Sequence, residues 1–139
     1  MSEDLFMRNR HLCYLLEYHL VVVTKYRRKV LVDDVREELI SIVYDLFEDK
    51  WNTKVRAVNT DLDHIHILFS APPQIKLSAL VNNFKTVSSR LLRKHHQEFL
   101  KSYYWKPVFW SDSYFIGAVS DVTDEIVELY IENQGKKHR

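Results

Sequence analysis

The stretch TKVRAVNTDLDHIHILFSAPP, Thr53 to Pro73, governs how the rest of the chain must be read. Its first part, Thr53 to Thr60, sets Val55, Ala57 and Asn59 against Lys54, Arg56 and Val58, the period of a half-buried strand. His64 to Ser70 is a second strand-like run, with only Asp61, Leu62 and Asp63 between the two. So short a connection joins neighbouring strands as an antiparallel hairpin, and Pro72 and Pro73 end it. Side chains alternate along a strand, so Ile65, Ile67 and Phe69 share one face and His64 and His66 the other. The apolar face needs a cover of helices. The two imidazoles, set side by side on the far face, need a different reason.

Working outward, YLLEYHLVVVT (Tyr14 to Thr24) is β-branched and aromatic and predicts a strand. Asp33 to Lys50 carries Val35, Leu39, Ile42, Val43, Leu46 and Phe47 at helical spacing, with Asp33 or Asp34 able to cap it. Leu77 to His95 predicts a second helix, striped by Leu77, Leu80, Val81, Phe84, Val87, Leu91 and Leu92. Tyr103 to Ser120 is aromatic-rich and has room for one or two short strands. Asp121 to Gln134 predicts a last helix, its tyrosine-bearing span set at 122–135, with Asp124 and Glu125 in the first turn and Gly135 at its end. The order β-α-β-β-α-β-α is an α+β, ferredoxin-like (RRM-like) antiparallel sheet with two helices on one face, plus a C-terminal helix. The length suits a single domain, 1–139.

Composition narrows the class. Hydrophobic residues make up 46% and charged residues 28%, which excludes a disordered chain. Apolar runs such as Leu20–Val23 are far too short to span a membrane, and the N-terminal MSEDLFMRNR lacks the apolar core of a secretory signal. The single Cys13 fits a reducing compartment, so a cytoplasmic protein is expected. The formal net charge of +1 hides clustering: TKYRRK (24–29), RLLRKHH (90–96) and KKHR (136–139) are basic. Such clusters can hold a phosphate backbone on one face or simply be solvated helix surfaces.

The histidine spacing suits two ligands of one metal ion, and serves equally for two hydrogen-bonded strand histidines. A metal would need further ligands. Asp61 and Glu17 are open candidates, while alternation turns Asp63 to the other face. In ELYIENQG (128–135), Tyr130 and Gln134 are four residues apart and stack on one helix face. A phenol can be a nucleophile and an amide oxygen a hard metal ligand, although Tyr130 also lies at core spacing from Ile126 and Val127. Tyrosine attack on a phosphodiester yields a phosphotyrosine ester. The phenol has a pKa near ~10, so that ester stays reactive and rejoining needs no ATP.

Taken together, EYHLVVVTKYRRKVL, DLDHIHILFSAPP, FKTVSSRLL, FWSDSYF and YIENQ resemble the small single-tyrosine HUH transposases of insertion sequences, over roughly Tyr14 to Gln134. The resemblance implies cleavage and rejoining of single-stranded DNA at hairpin-bearing element ends. It makes Tyr130 the nucleophile, forming a 5′-phosphotyrosine, and His64, His66 and Gln134 the ligands of Mg²⁺ or Mn²⁺. It implies a homodimer in which first strands join two sheets and the last helix of one subunit can complete the other's site, with Gly117 as a hinge. Leu62 stands where many members have proline. DNA contacts are expected from Lys85, Arg90, Arg93, Lys25, Arg27 and Arg28, with Trp105, Trp110 and Tyr114 as candidate stacking surfaces. Three other readings stay open: a domesticated relative acting on repetitive extragenic palindromes, a non-catalytic RRM-like binder, and a hydrolase that uses activated water.

Overall fold

Strand β3 (His64–Ala71) organises the molecule, a computed structural model that describes residues 16–137. It is flanked by β2 (Lys54–Thr60) and β1 (Leu16–Val23), and β4 (Phe115–Ala118) lies beyond β1. All pairings are antiparallel, in the order β2-β3-β1-β4. This is the expected ferredoxin-like sheet. Tyr14 and Leu15, the first residues of the expected strand, and Cys13 lie outside the described residues, as does the end of the basic tail.

One sheet face is the main core. Leu20, Val22, Ile65, Ile67 and Phe69 are fully buried there. Helix α1 (Asp33–Tyr44) brings Val35, Leu39 and Val43, and helix α2 (Leu77–His95) brings Leu80, Val81, Phe84 and Leu92. Burying such a side chain stabilises the fold by roughly 1.5–3 kcal/mol relative to exposure. α1 widens into a π-helical turn over Asp45–Lys50, which sets Phe47 edge-on to both Phe69 (5.1 Å) and Phe84 (5.7 Å). A short helix α3 (Gln97–Leu100), not anticipated from the sequence, follows α2.

Several local expectations are corrected. The α1 N-cap is Val32 with no side-chain cap; Asp33 has φ 43°, and Asp33 and Asp34 sit in the first turn, where negative charge favours the helix dipole. The alternation of Val55, Ala57 and Asn59 breaks at a bulge between Val55 and Ala57. Arg56 is the extra residue, so Val55 opposes Phe69 and Val58 opposes Ile67, on the core side. β1 is interior: its residues Tyr18–Val21 pair with both β3 and β4, so first strands cannot join two sheets there. Gly117 opposes His19 inside β4, and no glycine among the described residues has positive φ. What requires glycine is space, since a Cβ there would lie 2.6 Å from Val122 Cγ2.

The last helix, α4 (Asp124–Lys137), runs through Gly135 instead of ending at it. It lies over the second sheet face. Val127 and Ile131 bury Val21 and Val23 there, with Phe115, Val122 and Tyr130 packed alongside. The histidine face is therefore covered by a helix of its own chain. Among the described residues no helix is long and apolar enough to cross a membrane.

Candidate active site

His64 opens β3, and its Nδ1 lies 2.9 Å from Asp63 Oδ1. Asp63 is buried, and its other oxygen accepts from Arg27 Nε at 3.0 Å. Its backbone carbonyl is fixed by the amide and hydroxyl of Thr24. Asp63 precedes the strand, so it does not follow strand alternation and does not turn away from the histidines as expected. The His64 hydrogen bond, against the opposing effect of burial and with help from Arg27, holds the Asp63 carboxyl below its usual range. An ionised carboxylate on Nδ1 fixes that nitrogen as the donor and leaves the Nε2 lone pair available.

His66 is two residues on, facing the same way. Burial pushes its pKa down, as do the neighbouring His19 and His64, with Asp124 opposing. The ring is therefore neutral near pH 7, the form a metal needs. His66 Nε2 lies 2.6 Å from His19 Nδ1, and the two rings are 4.8 Å apart. The register explains this: Val21 opposes His66, so His19 is its diagonal neighbour on the same face. His19 was visible in EYHLVVV, but only the β1–β3 register reveals its place.

Tyr130 and Gln134 share one partner. Ser113 Oγ donates to Gln134 Oε1 at 3.1 Å and lies 3.0 Å from the Tyr130 hydroxyl. A serine has one hydroxyl hydrogen, so with that hydrogen on Gln134 the phenol donates to Ser113. Gln134 is 2% exposed, and the Tyr130 ring packs on Phe115 at 5.7 Å. Burial raises the Tyr130 pKa, and hydrogen bonding to Ser113 and Ser111 works in the opposite direction without overcoming it. Ser113 stands in the quoted FWSDSYF, but it lies in an irregular segment where no period marks it out.

Helix α4 thus lays Tyr130 and Gln134 on the sheet face that also carries His64 and His66. No hydrogen bond joins the two pairs directly among the described residues. Nor, among those residues, do three or more His, Cys, Asp or Glu gather as a metal site. Glu17 is engaged with Ser70 and Arg56, and Asp61 accepts from the Leu62 amide.

The basic candidates separate. Lys85 Nζ donates to the Ser111 and Ser113 carbonyls at 2.8 and 3.3 Å, and burial lowers its pKa. It braces the loop that presents Ser113. Lys25 is buried and pairs with Asp112 at 3.0 Å, and Arg27 is held by Asp63. Arg90 is exposed. Arg93 and Lys85 line a cleft of about 360 Å³ between α2 and the 107–112 segment. Trp110 is 6% exposed and donates to Ser88, so it is structural, and Tyr114 packs on the core. Trp105 is 71% exposed.

Comparison with known proteins is concordant. Residues 12–134 match the family described as "Transposase IS200 like". The chain is 35% identical over 130 residues to the ISDra2 transposase TnpA of Deinococcus radiodurans, covering 94% of this chain and 91% of that protein. It is 32% identical over 124 residues to the IS200 transposase of Salmonella typhimurium, covering 89% and 80%. The crystal structure of a Deinococcus radiodurans protein assigned as a transposase superposes with a TM-score of 0.78 at 34% identity, covering 87% and 92%. A REP-associated tyrosine transposase bound to a REP hairpin shares the fold, with a TM-score of 0.55 at 15% identity, covering 88% and 68%.

Proposed function

Because the chain belongs to the IS200-like transposase family, enzymes of DNA transposition that cleave DNA and transfer strands, we propose that it works on single-stranded DNA with Tyr130 as its nucleophile. The observation that carries this reading is the joint hold of Ser113 on the Tyr130 hydroxyl and the Gln134 amide oxygen, on the sheet face of His64 and His66.

In this reading the Tyr130 oxygen gives up its phenolic proton and attacks the scissile phosphorus, the P–O3′ bond breaks, and the leaving 3′-oxygen takes up a proton. The DNA retains a free 3′-hydroxyl on one piece, and the other piece is esterified to the enzyme through its 5′-phosphate. Attack by a DNA 3′-hydroxyl on that ester reverses the step and releases the phenol, so strands are exchanged without ATP. Burial keeps the phenol protonated in the resting enzyme. Ser113 receives the phenolic hydrogen bond and fixes the oxygen's direction.

His64, His66 and Gln134 would hold a divalent ion, Mg²⁺ or Mn²⁺. Their chemistry fits: Asp63 leaves His64 Nε2 free, burial keeps His66 neutral, and Gln134 offers a hard oxygen. His66 must release His19 to bind through Nε2. Such an ion, when bound, polarises the scissile phosphate and stabilises the charge that develops on it.

The substrate is read as an element end bearing a DNA hairpin, by analogy with the hairpin held by the REP-associated neighbour. A homodimer in which α4 reaches the partner's sheet remains part of the proposal, and β2 and β4 are the edges open to sheet contact. A purely RRM-like binder is disfavoured, since α4 covers the face such modules use. The test is a covalent adduct: single-stranded DNA labelled 3′ of the cut should stay bound to wild type on a denaturing gel and not to Tyr130→Phe. Cut DNA without an adduct would point to a hydrolase instead.

A further inference from the structure

Tyr26 and Trp105 form a feature the catalytic reading does not use. Their rings are stacked, 9° from parallel with centroids 5.4 Å apart. Trp105 is the outer ring of the stack, 71% exposed. Isolated exposed aromatics are common and need no explanation. This one belongs to a built arrangement. The Lys106 ammonium lies 5.8 Å from the Trp105 ring and 5.9 Å from Tyr26, and the Arg28 guanidinium lies 5.5 Å from Tyr26.

The backbone beneath it is strained. In the 3-10 turn Lys25–Arg27, Tyr26 has φ 58° and Arg27 φ 52°, a left-handed conformation unfavourable for side chains of this size. The turn is clamped by hydrogen bonds from the Tyr104 hydroxyl to the Lys25 carbonyl (2.9 Å) and from the Arg27 amide to the Thr24 carbonyl (2.9 Å). The turn seats the half-buried Tyr26 against the core, its ring 6.4 Å from that of Tyr104, and so gives the exposed Trp105 a fixed inner ring to stack on. It also adjoins the candidate site. Arg27 holds Asp63, Asp63 holds His64, and α4 touches the same turn.

We propose that the Trp105–Tyr26 stack seats one unpaired base of the DNA strand, with Arg28 and Lys106 drawing in the phosphates on either side of it. An extended aromatic face flanked by cations matches a nucleotide's flat base and charged backbone, and discriminates for unpaired bases because a duplex buries their faces. This rests on the single-stranded DNA reading above. It assigns a binding role to Trp105, not a part in bond breaking.

The test uses the full chain and an oligonucleotide carrying an element end, with an abasic site introduced at each position in turn. Trp105→Ala should weaken binding by roughly 5- to 150-fold, the range of one lost base–aromatic stack. One abasic position should weaken wild type and leave Trp105→Ala unaffected, and Trp105→Phe should restore part of the affinity. Melting curves check that the exposed substitution leaves the fold intact. Equal affinity of wild type and Trp105→Ala, with every abasic site costing both alike, would overturn the seat. If wild type still forms its Tyr130 adduct in that case, the seat alone falls; if wild type binds no single-stranded DNA, the functional reading falls with it.

Discussion

Ser113 Oγ lies 3.0 Å from the hydroxyl of Tyr130, on a loop that Lys85 ties down at the Ser111 and Ser113 carbonyls. The same oxygen donates to Gln134, so one serine sets the direction of the proposed nucleophile and of a proposed metal ligand.

Ser113→Ala should therefore slow adduct formation by about tenfold while costing the fold only about 1 kcal/mol, the net worth of an ordinary hydrogen bond. Single-turnover adduct rates and thermal melting, read on the same preparations, check this. An unchanged rate would remove Ser113 from the site.

Lys85 should act as a brace and not as a phosphate contact. Lys85→Met leaves two carbonyls without their donor and should cost about 1–3 kcal/mol of stability. The salt dependence of DNA binding should keep its slope. A slope shallower by about one unit would mean that Lys85 meets a phosphate after all.

Asp63→Asn removes the charge that fixes His64 and holds Arg27. Mn²⁺ affinity should fall by roughly 10- to 100-fold, the usual effect of losing a group that orients a ligand histidine. Calorimetric titration without DNA measures it independently of cleavage.

The acid limb of stability should depend on Glu38. It joins α1 to the end of α2 through His95 (2.6 Å) and His96 (2.8 Å). Burial raises its pKa, but hydrogen bonds and charge from the two histidines outweigh it and leave the pKa lowered. A carboxylate whose folded pKa is depressed adds stability above its unfolded value, about 4.3, and loses it as pH falls through the folded one. Wild type should exceed Glu38→Gln in stability at neutral pH, and the gap should close as the solution is acidified below pH ~4. A gap that persists there would mean that the carboxylate's charge is not what matters.

Much of this was legible in the sequence. The hairpin, the two core helices and the shared face of His64 and His66 follow from periodicity, because burial imposes a period of two on strands and 3.6 on helices. The remainder depends on contacts that periodicity does not encode. One extra residue, Arg56, reverses the alternation of β2. The meeting of His19 with His66 needs the β1–β3 register, and Ser113 and Asp63 act from irregular segments. Lys85 reads as a surface cation until the loop it clamps is seen. The left-handed turn at Tyr26 and Arg27 carries no glycine to announce it.

The most direct measurement is to map the adduct. The chain has eight tyrosines, so a covalent band alone does not identify the nucleophile. Wild-type protein, element-end single-stranded DNA and Mn²⁺ would be reacted, digested with protease and nuclease, and analysed by mass spectrometry. A nucleotide-phosphate mass on the peptide containing Tyr130, absent when the ion is chelated, is the predicted result. A modified peptide carrying a different tyrosine, or cut DNA with no modified peptide, would contradict it.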